Sequence, residues 1–481
     1  MTFLQFLGYL VIVLGVFSLV SYWLVTNREN KRWMKVLSAW KKTTFTPEEV
    51  QSDLDAFSDL YVRVHPEPFH ALSEEEWHAV VADLKRQADH EMTRPEVYCL
   101  LASVVSRFND EHTQVRMPTE ELNQLLGEEG KVFPYEVTIR GEHIYLTGAK
   151  AETKPLPAGT RLLSVNGVPA AELVNTALPL FWGRRDAQRA VYAQKYFAEV
   201  LYLAYGFEDL FDVVLQMPDG EQRERRLSGV EYKVEPQEPF SYRIQGETLL
   251  LDYRKFEDPK NDFKSFMTEM LAEGEKHGVK RLVIDVRGNQ GGASSLGDTL
   301  LRFLTEKTFS QFDLVEIRSS PEVKRYFMSF VPGFLHWFFP LPHLHPLLRS
   351  LWHTKTGALA EVHFQPLLSV EGTPRFNGPI YLLIDAGSMS STSLLASTVK
   401  QYEIGTLVGE PTGGHPYQYG NMLDFHLEQT GLKVMIPSSI VHGKGTSPVE
   451  PDVLMEQRLE DLSAGKDTVL AYVQTLPAEK A

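Results

Sequence analysis

Apolar positions along the chain change period several times, and each period predicts a different kind of structure. Residues 3–25, FLQFLGYLVIVLGVFSLVSYWLV, are almost continuously apolar, long enough to cross a bilayer as one helix. From 46 to 108 the apolar residues recur at three and four: Val50, Leu54, Phe57, Tyr61 and Val64, then Trp77, Val81, Leu84 and Ala88, then Val97, Leu101, Val104 and Phe108. That spacing predicts three amphipathic helices. Each opens on a capping box, Thr46-Pro47-Glu48-Glu49, Ser73…Glu76 and Thr93-Arg94-Pro95-Glu96, in which hydroxyl and carboxylate satisfy each other's free amides. These helices predict a helical N-terminal domain over 45–120.

Between 130 and 235 the pattern turns β-like. Val132–Ile139 and His143–Thr147 read as strands around Gly141, and PLPAGTRLLSVNG (155–167) as a turn, a strand and an Asn166-Gly167 turn. Glu172–Leu178 reads as a helix ending at Pro179, and Phe211–Gln216 with Glu224–Leu227 as a hairpin about Pro218-Asp219-Gly220. A segment of this kind can pair a guest strand with its sheet edge, or serve as a structural insert.

From 236 to 460 short buried-strand runs alternate with helical ones: Thr248–Tyr253, Phe263–Lys276, Arg281–Val286, then a helix bearing Leu296, Leu300 and Phe303. The sequence of Gly378 to Gly414 adds the strand Ile380–Ile384, a hydroxyl-rich turn, a helix with Leu395, Val399 and Tyr402, and a glycine-rich loop. The alternation predicts an α/β layer architecture with ligands at the strand C-terminal ends. An apolar, proline-containing stretch, 327–352, interrupts it. It could form a lid, a membrane-dipping hairpin or a substrate wall, and its prolines exclude a simple spanning helix. Residues 461–481 read as a C-terminal tail.

Composition narrows the function. The net charge of −15 and the lack of a long basic tract argue against nucleic acid. A single cysteine, Cys99, excludes an intrachain disulfide framework. No basic segment precedes 3–25 and no small-residue cleavage site follows, so the expectation is an uncleaved single-pass anchor in a bacterial inner (cytoplasmic) membrane. Arg28, Lys31, Arg32 and Lys35 after it place the bulk of the chain on the cytoplasmic side.

Candidate chemistry concentrates at three turns. Ser388, Ser390, Ser391, Thr392 and Ser393 crowd one strand-to-helix turn. A hydroxyl there is either a helix cap or a nucleophile beside helix amides that favour negative charge. His112, in Asn109-Asp110-Glu111-His112-Thr113, is either a polar surface residue or a general base. Gly291-Gly292, between a strand and a helix, can expose backbone amides to an anion. It lacks the Lys-Ser/Thr of a phosphate-binding loop. His336, His343 and His345 lack nearby cysteine or carboxylate partners, so no metal and no other cofactor is expected.

Three motifs in order, DEHTQV, VIDVRGNQGG and IDAGSMSSTSLLAS…GTLVGEPTGG, resemble the tail-specific, or C-terminal processing, serine peptidases, in their tricorn-like Ser/His branch. The resemblance covers about 45–460. It implies a crotonase-like (ClpP-like) ββα spiral core and a PDZ-like domain over 130–235. It implies Ser390 as nucleophile, His112 as base and Glu450 of Glu450-Pro451-Asp452 as the acid behind it. Gly291 or Gly292 and the Ser391 amide would form the oxyanion hole. Asp110 and His415 stand as alternatives, His415 at the place a lysine holds in the lysine-dyad branch. Glu111 replaces the family's glycine and Ser393 its usual glutamate. The implied activity is a membrane-anchored serine endopeptidase acting on polypeptides through an acyl-enzyme. The same departures admit a second reading, a non-catalytic protein binding a hydrophobic ligand or peptide.

Overall fold

A computed structural model describes residues 41–118, 130–151, 153–233, 237–330, 345–368 and 372–476, with the single positions 39, 122 and 370. All three expected capping boxes form, at the starts of α1 (Pro47–Val64), α2 (Glu74–Gln87) and α3 (Arg94–Val105). Their apolar stripes meet in an aromatic cluster, where Phe108 lies 4.5 Å from Tyr61 and 5.2 Å from Trp77 between ring centres. That packing fixes the exit of α3. The chain then pairs as β1 (Gln114–Val115) with a strand more than three hundred residues later.

The middle segment forms an antiparallel sheet of β2 (Tyr135–Arg140), β3 (His143–Ala149), β4 (Arg161–Val165), β5 (Leu210–Gln216) and β6 (Gln222–Ser228), in the order β6-β5-β4-β3-β2. Between β4 and β5 it is more helical than the sequence suggested. Ala170–Ala177 is followed by α4 (Asp186–Lys195) and a further helix, Phe197–Tyr205, which Gly206 ends in the left-handed conformation.

The remainder is built on two sheets. One has the order β7-β8-β9-β12-β13-β16: β7 (Phe240–Gln245), β8 (Thr248–Tyr253), β9 (Arg281–Asp285), β12 (Ile380–Ile384), β13 (Thr406–Gly409) and β16 (Val453–Leu454). All of its pairings are parallel except β7 with β8. The other has the order β11-β10-β15-β14: β10 (Phe312–Arg318), β11 (Leu359–His363), β14 (Tyr417–His426) and β15 (Lys433–Gly443), with β1 joined to β15. Helices α5 (Phe263–Lys276), α6 (Ser294–Leu304) and α7 (Ser391–Gln401) cover one face of the parallel sheet. The second face is covered by α8 (Thr468–Thr475), whose Val469, Leu470 and Val473 pack on Leu250, Val283 and Leu383. Part of the expected tail is thus core, as continuous burial on both faces of a parallel sheet requires.

A further apolar cluster links Phe57 and Leu101 of the helices, Phe133 just before β2, Phe211 of β5, and Met389, Val434 and Ile436. The expectation of a single-pass membrane protein is corrected. Among the described residues no helix is long and apolar enough to cross a membrane, and residues 3–25 lie outside the described residues. Most of the 327–352 stretch, 331–344, also lies outside them.

Candidate active site

Strand β12 is buried along its whole length and delivers the chain to a turn that ends at Ser390, where α7 begins. Ser390 has φ 55° and ψ −125°, a conformation costing an L-residue on the order of 1–3 kcal/mol. It occupies the N-cap position, yet its side chain makes no capping bond. Its Oγ lies 3.1 Å from His112 Nε2. The neighbouring hydroxyls serve the backbone instead. Ser388 Oγ donates to Val286 O (2.8 Å), Ser391 Oγ to Gly292 O (2.6 Å) and Ser393 Oγ to Ser388 O (3.3 Å). Thr392 Oγ1 is buried without a partner among the described residues.

His112 is presented by a loop wound around one carboxylate. After Asn109 reverses the chain at φ 50°, Asp110 Oδ1 accepts the His112 amide (2.8 Å) and Oδ2 accepts the Thr113 amide (2.8 Å) and hydroxyl. His65 Nε2 stands 3.5 Å from the same Oδ2, a polar contact longer than a hydrogen bond. Burial opposes charge on Asp110, but the His65 and His112 rings and the Thr113 hydroxyl outweigh it and hold the carboxyl below the usual range. Burial dominates at His112 and pushes its imidazole down to about 4, Asp110 opposing and Arg184 and His65 reinforcing the shift. The ring is therefore neutral at neutral pH, able to accept a proton at Nε2. Its Nδ1 is buried with no hydrogen-bond partner among the described residues.

The glycine pair touches the same turn. Asn289 donates from Nδ2 to Tyr253 O (2.7 Å), accepts the Gly291 amide at Oδ1 (2.8 Å) and accepts the Met389 amide at its carbonyl (3.0 Å). A Cβ on Gly291 would stand 2.7 Å from Ser390 Cβ, and one on Gly292 2.4 Å from Phe256 O. Both residues also have positive φ, 89° and 136°, so no larger residue fits. The Gly291 amide is engaged by Asn289. The amides of Gly292 and Ser391 make no hydrogen bond among the described residues, and Ser391 Oγ straps these two residues together.

The other candidates fall elsewhere. Glu450 is exposed, and its carbonyl accepts from Lys400 Nζ (2.6 Å). No hydrogen bond or ion pair joins it to His112 among the described residues. His415 is not bonded to Ser390. Its Nδ1 lies 3.0 Å from Arg184 Nη1 and 2.9 Å from Thr446 O, and burial with the nearby arginine holds it down to about 4. Glu111 is buried, receives the His415 amide (3.2 Å) and lies 3.3 Å from Arg184 Nε. Arg184 was not anticipated. The available signal is the Arg184-Arg185 pair at the start of a helix, where cations oppose the dipole and so point to another partner. No group of side chains able to hold a metal occurs among the described residues; His336 and His343 lie outside them.

Residues 247–448 match the profile of peptidase family S41. No curated protein matches the chain significantly in sequence. Among solved structures, mature CPAF is similar at 14% identity and a TM-score of 0.60, over 87% of this chain and 94% of that one. A CPAF point mutant is similar at 13% identity and a TM-score of 0.63, over 90% and 99%. These likenesses establish a shared mixed α/β fold across most of the chain.

Proposed function

We propose that this chain cleaves polypeptides through an acyl-enzyme on Ser390, with His112 as base and acid, a reading supported by the match of residues 247–448 to peptidase family S41, whose members are serine-type hydrolases. The observation that carries the assignment is the 3.1 Å approach of His112 Nε2 to the Oγ of a strained, non-capping Ser390. A serine hydroxyl becomes a useful nucleophile when an adjacent base takes its proton. In this reading Nε2 takes that proton as Oγ bonds to the substrate carbonyl carbon. The carbonyl oxygen, now negative, accepts from the Gly292 and Ser391 amides, a donor geometry worth about 3–4 kcal/mol per amide. His112 then protonates the leaving amine as the C–N bond breaks. The same ring then deprotonates a water that attacks the ester carbonyl carbon, and gives that proton to Ser390 Oγ as the acyl C–O bond breaks and the acid product leaves.

Asp110, rather than Glu450, supplies the negative charge behind the base. It shapes the loop through the His112 and Thr113 amides and favours the imidazolium formed in the transition state. The middle sheet is a PDZ-like substrate-holding module. Edge strand β2 borders a cavity of about 1020 Å3 together with Ala190, Arg287 and Asp385, and a guest strand added there would pair with backbone groups of β2 by displacing Gln194 Oε1 from the Ile139 amide (2.9 Å). A fluorophosphonate probe tests the central assignment. Labelling of the intact protein that disappears in Ser390→Ala supports it, and a folded wild type that resists the probe refutes it.

A further inference from the structure

The middle segment reaches into the site through the few residues around the start of α4. The Gly183 amide donates to Asp110 O (3.0 Å). Arg184 places Nε 3.3 Å from Glu111 Oε1 and Nη1 3.0 Å from His415 Nδ1, while its own amide is held by Gln188 Oε1 (3.0 Å). Arg185 donates to Thr412 O. Gln188 Nε2 and Tyr192 Oη both approach the sulfur of Met389, the residue before Ser390, at 2.7 and 3.5 Å. Glu111 in turn accepts the His415 amide at 3.2 Å. A Cβ built on Gly414 would meet Ser393 Oγ at 2.7 Å, Glu111 Oε2 at 2.9 Å and Ser390 N at 3.0 Å. The Glu111 carboxylate therefore lies under the turn that flanks the nucleophile, one residue before the base.

We propose that Glu111 and Arg184 are a positioning pair for the Ser390–His112 dyad, fastening the base loop to the Gly414–His415 turn. The inference rests on the reading of Ser390 and His112 given above. Nothing else among the described contacts ties the side chain next to His112 to the loop beside Ser390, and the guanidinium bridging Glu111 and His415 comes from a third element. The middle segment is then a structural part of the active site as well as a holder of substrate. Burial pushes the Glu111 carboxyl up to about 8 against the opposing charge of Arg184, with Asp110 adding to the rise and Arg185 to the opposition. Around it also stand His112, Tyr192 and His415. The pair therefore changes charge within a range accessible to assay.

The test uses full-length protein and a peptide substrate, with Ser390→Ala as the control for the underlying reading. Glu111→Ala and Arg184→Ala are expected to lower kcat tenfold or more with KM within twofold. Arg184→Lys, which keeps the charge and loses one contact, is expected to fall between. Glu111→Gln, which keeps an acceptor for the His415 amide, is expected to recover most of the kcat lost in Glu111→Ala. It should also lack a step near pH 8 present in the wild-type kcat profile. Because removing one buried partner can unfold a protein, each variant is melted in parallel. The inference is overturned if kcat is unchanged in the alanine variants, if the loss matches the unfolded fraction, or if Glu111→Gln keeps the step near pH 8. Activity that survives Ser390→Ala refutes the underlying reading instead.

Discussion

His112 Nε2 and Ser390 Oγ stand 3.1 Å apart although 278 residues separate them in sequence. Neither half of the pair is free to drift. Phe108 is locked among Tyr61 and Trp77 just before the histidine, and β1 just after it pairs with β15. On the other side, β12 lies within the parallel sheet and α7 packs on its face in the same core, and the strained Ser390 is held between them. Preorganisation of this kind is what proton transfer in a single step requires.

The first prediction concerns the division of labour at that contact. Ser390→Ala is expected to abolish peptidase activity and probe labelling together. His112→Ala should lower kcat by about 10³-fold or more, as loss of a base does when nucleophile and base act as a unit. His415→Ala should keep probe labelling, since its ring is tied to Arg184 and Thr446 rather than to Ser390. Loss of labelling in a folded His415→Ala protein with retention in His112→Ala would reverse the assignment.

The second concerns acid pH. His112 is held down to about 4 by burial, so the acid limb of kcat/KM is expected between pH 4 and 5, well below the usual imidazole range near 6.5. The same depression has a stability consequence. A histidine whose folded pKa lies below its unfolded value contributes stability that is fully present above the unfolded value and is lost as pH falls through the folded one. His65, His112 and His415 are all shifted down, chiefly by burial. Stability should therefore decline as pH drops from about 6.5 toward 4. Circular dichroism melts over that window, alongside the rate profile, separate the two effects. An acid limb at 6 to 7 would contradict the buried, neutral base.

Local rules were legible in the sequence where local chemistry decides. The three capping boxes form as the residues dictate because each satisfies its own helix end. The turn carrying Ser390 was legible as a strand–turn–helix, but which hydroxyl stays free was not. That depends on acceptors far away, Val286 O for Ser388 and Gly292 O for Ser391. The pairing with His112 came from the family resemblance, since no periodicity connects positions so distant. Glu450 belongs to a motif that the sequence marks but lies exposed, while the Asp110 carboxylate accepts amides of its own loop, a contact that no spacing distinguishes from an ordinary polar turn. Helix α4 was missed within a β-like stretch. With it went Arg184, whose partners are brought together only by the tertiary fold.

Glycine substitutions give the third prediction. Gly291→Ala would force a Cβ to 2.7 Å from Ser390 Cβ and to 2.8 Å from Ser391 N, at a φ of 89°. The clash falls on the proposed nucleophile and on a proposed oxyanion donor together. A loss of about 10²–10³-fold in kcat is expected, the range seen when one such donor is removed. Gly288→Ala is the comparison. It also has positive φ, 70°, but a Cβ there meets nothing within 4 Å. It should show only the backbone penalty, on the order of 1 kcal/mol in a urea melt. Equal kcat in the two variants would place the glycine turn outside the oxyanion site.

The last prediction tests whether the helical segment holds the base loop from a distance. Asp53 on α1 is buried, and its carboxylate accepts the amides of Gln429 (3.1 Å) and Thr430 (2.8 Å) and the Thr430 hydroxyl (2.7 Å). Thr430 lies in the turn joining β14 to β15, and β15 is the strand that carries β1 and so the exit of the His112 loop. Arg94 Nε, from the start of α3, donates to the carbonyl of the same threonine (3.0 Å). Asp53→Ala would strand two amides and a hydroxyl in a dry interface, each worth about 1–3 kcal/mol when left unsatisfied. A loss of about 2–4 kcal/mol in urea unfolding is expected. Asp53→Asn keeps one acceptor oxygen and should lose less. If the tie also positions the loop, Asp53→Asn will lower kcat while remaining folded at the assay temperature. A variant that loses stability and keeps full kcat would confine Asp53 to the scaffold.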